Sequence, residues 1–145
     1  MVPTLFGRIQ TRLFLLATVG VLVTALITPI LSLTGPLSLR YQTTYALLAA
    51  VAAVGVGWEI IYHLLMQWRW EKDWPTLFGL VTVAPEGFAI WVLANEQLIP
   101  GLPGPVPFGA FLAHLLAIWL TTWLAANGPM RVPFIRWRFR GGRLI

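Results

Sequence analysis

Residues 77–98 read LFGLVTVAPEGFAIWVLANEQL, and this stretch decides the fold. It is long enough to cross the hydrocarbon core of a bilayer, which takes about 20 residues of helix. Near its centre Glu86 directly follows Pro85. A carboxylate at the middle of a bilayer costs on the order of 3 kcal/mol, so such residues face other helices or water and mark functional sites. The stretch therefore predicts an integral membrane protein with a polar interior.

The composition of the whole chain agrees with this prediction. Of its 145 residues 58% are hydrophobic and 10% are charged, whereas soluble domains carry about 25% charged residues. Cysteine is absent, which excludes disulfides and thiolate chemistry. The net charge is +5, and its basic residues flank apolar segments. We therefore expect contact with the anionic headgroups of a lipid bilayer and no binding to nucleic acid.

Three further apolar segments have the length of a membrane span. The predicted spans are residues 13–33, 43–66, 77–98 and 108–126. Because the connections are short, consecutive helices should be antiparallel neighbours. The sequence thus predicts an all-α, polytopic membrane protein, a single domain of four transmembrane helices in an antiparallel bundle. Residues 127–145 would form a basic and aromatic tail.

The distribution of Arg and Lys predicts the orientation of the chain. Only Arg40 falls on one side of the predicted spans, and all other basic residues fall on the opposite side together with both termini. Cytoplasmic loops carry the excess of Lys and Arg. We therefore expect a protein of the cytoplasmic (inner or plasma) membrane with both termini in the cytoplasm. The residues on the cytoplasmic side would be Arg8, Arg12, Arg69, Lys72, Arg131, Arg136, Arg138, Arg140 and Arg143.

The predicted interior holds four titratable side chains that are candidates for an ion or proton relay. They are Glu86, Glu59, His114 and His63. At about 1.5 Å of rise per residue, Glu59, Glu86 and His114 lie within about 10 Å of depth. They could carry a proton, or the two Glu side chains could form a neutral, hydrogen-bonded pair that fixes the helix register.

Cofactor and metal sites have little support in the sequence. The two His residues differ in depth by about 16 Å, which excludes a haem held between them. Glu59 and His63 share a helix face that Glu86 could approach, but the di-iron ligand pattern of four-helix bundles is missing. We predict no cofactor and no metal.

The helix faces and kinks can also be predicted. Pro85 and Pro29 should each kink their helix, because proline cannot donate the hydrogen bond to the preceding turn. On the second span a flank with Glu59 and His63 should face protein, and a second flank of small residues should also pack. The arc of large side chains between them should face lipid: Leu47, Val51, Val54, Trp58, Ile61 and Leu65.

The C-terminal residues 134–145 read FIRWRFRGGRLI. The strict alternation of basic and apolar residues over 135–140 predicts an extended segment. It should contact lipid headgroups or a partner protein. The side chains expected to do so are Arg131, Arg136, Trp137, Arg138, Arg140 and Arg143.

Three functions are compatible with these features. Phosphate-binding loops, nucleophile elbows and zinc helix motifs are all missing, and the chain is small. This favours a non-enzymatic accessory or assembly subunit that contacts other membrane subunits or its own copies. The alternative is a proton- or ion-linked transporter or channel that uses Glu86, Glu59 and His114. A metal-dependent membrane enzyme built on Glu59, His63 and Glu86 ranks third.

Overall fold

A computed structural model describes residues 4–70 and 76–145 of the chain. The regular structure in these ranges is helical. The α-helices are α1 (Leu5–Leu15), α2 (Val21–Ile27), α3 (Leu37–Gln67), α4 (Thr76–Val81), α5 (Val83–Asn95), α6 (Phe108–Asn127) and α7 (Ile135–Phe139). A π turn, Leu16–Gly20, joins α1 to α2, and a 3-10 turn, Pro129–Arg131, precedes α7.

Four helical stretches in the described ranges are long and apolar enough to cross a membrane. They are Leu5–Ile27, Leu37–Gln67, Thr76–Asn95 and Phe108–Arg131. The expected all-helical class with four candidate spans is confirmed. Large apolar side chains such as Leu26, Leu64 and Phe88 lie exposed on the outside of the bundle, where a bilayer would cover them.

The first span begins and ends earlier than the sequence predicts. It starts at Leu5 and ends at Ile27, so Arg8 and Arg12 belong to the helix instead of flanking it. The predicted kink at Pro29 is wrong, because Pro29 lies in a turn after the last residue of α2. Proline there leaves the Ala25 carbonyl without a helical donor. The Tyr41 hydroxyl on α3 donates to that carbonyl at 3.0 Å instead.

The third span is interrupted at Thr82, three residues before Pro85. Pro85 has no N–H to donate to the Val81 carbonyl, which accounts for a break in the helix at this position. The short helix α4 that results is attached to α6 by two indoles. The Trp119 Nε1–H donates to the Gly79 carbonyl and the Trp123 Nε1–H to the Thr76 carbonyl, each at 3.1 Å.

The π turn determines which side chains of the first span point into the bundle. In an unbroken α-helix Arg12 and Thr24 would differ by about 120° around the axis. A π turn holds one extra residue, which reduces that angle to about 20°. Both side chains therefore face the interior, where Thr24 is completely buried and Arg12 meets two carboxylates.

The lipid-facing arc predicted for the second span is wrong in part. Leu47 and Val51 are each only 2% exposed and belong to the main core, together with Ile90, Phe111 and Ile118. The flank of small residues is not uniformly packed either, because Ala49, Ala53 and Gly57 are exposed. The helix is apolar on nearly every side, so periodicity could not tell its lipid face from its protein face. The flank with Gly55 and Glu59 is buried, as expected.

Candidate functional site

Four charged side chains from three spans meet inside the bundle, and we call them the Arg–Glu cluster: Arg8, Arg12, Glu59 and Glu86. Arg12 lies at its centre. Its Nη1 donates to Glu86 Oε2 at 2.7 Å, and its Nη2 to Glu86 Oε1 at 2.9 Å. Its Nε donates to Glu59 Oε1 at 2.8 Å. The Arg8 Nε donates to Glu59 Oε2 at 2.6 Å. The cluster therefore ties the first span to the second and to the third.

The surroundings of Arg12 fix the position of its guanidinium group. Gly55 on α3 leaves room for it, because a Cβ at Gly55 would collide with Arg12 Nη1 and lie 2.9 Å from its Cζ. The Arg12 Cζ also lies 5.5 Å from the centre of the Trp119 ring on α6, a cation–π distance. Tyr62, one turn after Glu59, is buried and interacts with Glu86. All four spans thus contribute to this environment.

The charges of the cluster balance. Glu86 is 0% exposed, and the side chains of Arg8, Arg12 and Glu59 are about a tenth exposed. Two guanidinium groups face two carboxylates, so the cluster is neutral with every member ionised. Removing ions from water costs several kcal/mol each, and this cost is offset only by good geometry and further hydrogen bonds. The paired bonds between Arg12 and Glu86 supply such geometry.

The structure brings only two of the four predicted relay residues together. Glu59 and Glu86 meet through Arg12. His114 hydrogen-bonds to Thr24 on α2, with 3.1 Å between Nε2 and Oγ1. His63 has Gln67 of its own helix as its neighbour, at 3.5 Å. The two carboxylates therefore face guanidinium groups, and each His has another partner.

His114 begins a second buried polar row. One turn after Thr24, the Thr28 hydroxyl donates to the Thr24 carbonyl at 2.6 Å and shares a hydrogen bond of 2.8 Å with Thr44 on α3. His114, Thr24, Thr28 and Thr44 are all at most 1% exposed. These side-chain bonds join α2, α3 and α6 in the part of the bundle beyond the π turn.

Sequence reasoning missed Arg8 and Arg12 as interior residues. A hydropathy reading starts the first span after the last basic residue, so both were assigned to the cytoplasmic flank. Two signals point to them. Arg8 and Arg12 are four residues apart and share a helix face, and two interior Glu residues on other spans need partners.

A metal site is not formed by the described residues. No three His, Asp or Glu side chains come together within residues 4–70 and 76–145. The three candidate ligands are also turned to other partners. Glu59 and Glu86 bind Arg12, and His63 lies beside Gln67.

A cavity of about 860 Å³ lies next to the Arg–Glu cluster, and we call it the terminal cavity because both chain ends border it. Arg8, Arg12 and Glu59 form its inner wall. Exposed residues of the C-terminal segment, residues 129–145, also line it, so the cavity borders the surface of the molecule. Its remaining lining includes Thr11, Thr76, Thr82, Trp119, Thr122, Trp123, Ala126, Asn127, Arg131, Trp137, Arg138, Phe139 and Gly142.

The C-terminal segment folds back onto α1 and forms part of the wall of the terminal cavity. The predicted extended conformation is wrong, because Ile135–Phe139 is a short helix. The Trp137 ring is buried, and its Nε1–H donates to Thr11 Oγ1 at 2.7 Å. Thr11 in turn donates to the Gly142 carbonyl at 2.9 Å. The burial of the Trp137 ring against α1 accounts for the helical conformation of residues 135–139. The alternation of basic and apolar residues alone does not predict it.

The residues of this segment that were predicted to contact lipid headgroups are partly buried and partly exposed. The Trp137 ring is occupied by contacts within the chain. Arg131, Arg136, Arg138, Arg140 and Arg143 are all exposed. Of these five, Arg131 and Arg138 line the terminal cavity, and the other three do not.

The N-terminal end of α1 packs closely on this segment. The Thr4 N–H donates to the Gly141 carbonyl at 2.9 Å, and a Cβ at Gly7 would collide with that carbonyl oxygen. Gly142 has a φ of +85°, which only glycine adopts without strain. The first and last segments of the described chain therefore lie at one end of the bundle.

Comparison of the chain with protein-family models, curated proteins and solved structures found no match.

Proposed function

We propose that this chain is a small, non-enzymatic integral membrane protein that acts as an accessory or assembly subunit of a larger membrane complex. Its four spans would run antiparallel across the cytoplasmic membrane, with both termini in the cytoplasm. The excess of Arg at the end of the molecule that holds both terminal segments supports this orientation.

The observation that carries this proposal is the closed Arg–Glu cluster. Arg12 occupies both oxygens of Glu86 and one of Glu59, while Arg8 occupies the other. Carboxylates held in this way lock the register of three helices. They are less suited to exchanging a proton or a cation, because release from Arg12 would leave a buried charge unpaired.

The end of α3 offers a contact surface for a partner subunit. Trp68 and Trp70 follow α3 and are 87% and 99% exposed. Tryptophan is enriched in protein interfaces and at the membrane surface, where one side of the ring is apolar and the other is wet. We place the partner contact here, at the cytoplasmic end of the second span.

Purification from the native membrane in a mild detergent tests this function. The tagged chain should co-purify with a second chain in fixed stoichiometry, and the double variant Trp68→Ala/Trp70→Ala should lose that partner. The matched control is Ile60→Ala/Leu64→Ala, which changes two exposed apolar residues of α3 that precede its C-terminal end. A wild-type chain that elutes alone as a monomer would overturn the proposal.

The second candidate is a proton- or ion-linked transporter or channel. One arrangement favours it: the terminal cavity reaches Arg12 and Glu59 from one end, and the buried row from His114 to Thr44 continues on the other side of the π turn. In proteoliposomes Glu86→Gln would then abolish pH-dependent flux. Flux that is equal in the wild-type chain and in this variant would eliminate Glu86 as the carrier.

A further inference from the structure

We propose that the terminal cavity binds the phosphate headgroup of one anionic phospholipid. The proposal rests on the membrane placement given above, and it holds whether the chain is a subunit or a transporter. It divides the basic residues of the C-terminal segment into two classes, of which only Arg131 and Arg138 contact the bound lipid.

The size and lining of the cavity fit such a ligand. Its volume of about 860 Å³ lies within the range of about 300–1,000 Å³ that small-molecule sites occupy. Its walls combine apolar surface from Trp123, Ala126 and Phe139 with hydroxyl groups from Thr76 and Thr122. This mixture of apolar and polar surface suits a molecule with a charged head and an apolar body.

The charge of the lining selects an anion. Four Arg side chains and a single Glu contribute to the described lining. Arg8 and Arg12 bind Glu59 at the inner wall, whereas none of the ion pairs between described residues involves Arg131 or Arg138. Among the described residues, the Arg131 side chain hydrogen-bonds only to the neutral Asn127 amide oxygen, at 3.0 Å. Arginine binds phosphate through paired N–H donors, so these two residues form a suitable headgroup site.

A comparison of Arg136 with Arg138 distinguishes a specific lipid site from general attraction to the membrane. Arg136 and Arg138 both lie on the short helix α7, and both are exposed. Only Arg138 lines the cavity. If the bilayer attracted this segment through its charge alone, the two residues would contribute equally.

Native mass spectrometry of the full chain tests the proposal. The protein is released from micelles that contain equal amounts of phosphatidylglycerol and phosphatidylcholine. We expect one retained phosphatidylglycerol per chain in the wild type. Arg131→Gln/Arg138→Gln should reduce its retention about thirtyfold, which corresponds to about 1 kcal/mol for each Arg near the headgroup. Arg136→Gln/Arg140→Gln removes the same charge from outside the cavity and should retain the lipid.

Further arms separate the competing explanations. Arg131→Lys/Arg138→Lys keeps both charges and should recover most of the retention, and the thermal unfolding of each variant shows that it is folded. Excess glycerol 3-phosphate should not displace the lipid, because it lacks the apolar body. Equal losses in the two Gln double variants, or displacement by the soluble phosphate, would overturn the proposal. Neither of these outcomes would bear on co-purification with a partner subunit, which tests the proposed function separately.

Discussion

Arg12 and Glu86 are joined by two parallel hydrogen bonds of 2.7 and 2.9 Å, although 74 residues separate them in the chain. The same guanidinium group also binds Glu59 on the second span. Within residues 4–70 and 76–145, Arg12 is therefore the one side chain that forms ion pairs with both interior acids. Neither arrangement considered from the sequence, a neutral Glu pair or a titrating Glu, included this cationic partner.

The pairing predicts strong energetic coupling between Arg12 and Glu86. Arg12→Leu should lower the free energy of unfolding by about 3–5 kcal/mol, because it leaves buried Glu86 without its partner. Arg12→Leu/Glu86→Gln removes both charges and should recover much of that loss. Unfolding in mixed micelles, followed by tryptophan fluorescence, measures Arg12→Leu, Glu86→Gln, the double variant and the wild type. Additive effects of the two substitutions would contradict the pairing.

Two glycines on α3 give a matched test of the space that Arg12 needs. Gly55→Ala should destabilise the protein, because the added methyl group would occupy the site of the guanidinium group. Gly57→Ala is the control, since no described atom other than its chain neighbours and the backbone of its own helix lies within 4 Å of an added Cβ. Alanine there should be neutral or stabilising by up to about 1 kcal/mol through helix propensity. Equal melting temperatures for the two variants would show that Gly55 does not make room for Arg12.

The docking of the C-terminal segment should depend on Trp137. Trp137→Phe removes the indole donor to Thr11 and leaves part of a buried site unfilled. We expect faster trypsin cleavage after Arg138, Arg140 and Arg143 in detergent, measured by mass spectrometry of the released peptides. The same substitution at Trp70, which is 99% exposed, should leave the cleavage rate unchanged. The prediction fails if both variants are cleaved at the wild-type rate.

The orientation of the chain can be measured by labelling single cysteines, because the natural sequence contains none. Gly104→Cys should be labelled by a membrane-impermeant maleimide on intact cells, since among the described residues no atom beyond its chain neighbours lies within 4 Å of an added Cβ. Ile145→Cys, at a position that is 95% exposed, should be labelled only after permeabilisation. The reverse pattern would place both termini outside the cell.

The helices could largely be predicted from the sequence. Of the Arg–Glu cluster, only the two Glu residues could be predicted as interior residues. Length and hydropathy are enough to find four spans, and burial cost is enough to single out Glu59 and Glu86. The same cost argument placed Arg8 and Arg12 outside the membrane. That argument gives each residue a free-energy cost of burial by itself. It takes no account of opposite charges on distant spans that would offset this cost.

The remaining differences also have physical reasons. The faces of α3 could not be assigned correctly, because Leu47 packs in the core although lipid would accommodate it equally well. The π turn leaves no recognisable pattern in the sequence, yet it aligns Arg12 with Thr24. The helix over 135–139 depends on the contact of Trp137 with α1, which lies more than 100 residues away in the chain.

The cluster also constrains the order in which the protein can be built. The first span leaves the ribosome with two Arg residues, while Glu59 follows Arg12 by 47 residues and Glu86 follows it by 74. Until the second and third spans arrive, the guanidinium groups have no carboxylate to bind in the hydrocarbon core. We therefore expect the N-terminal half of the first span to stay at the water interface until the second and third spans have inserted, because unpaired guanidinium groups are costly in hydrocarbon.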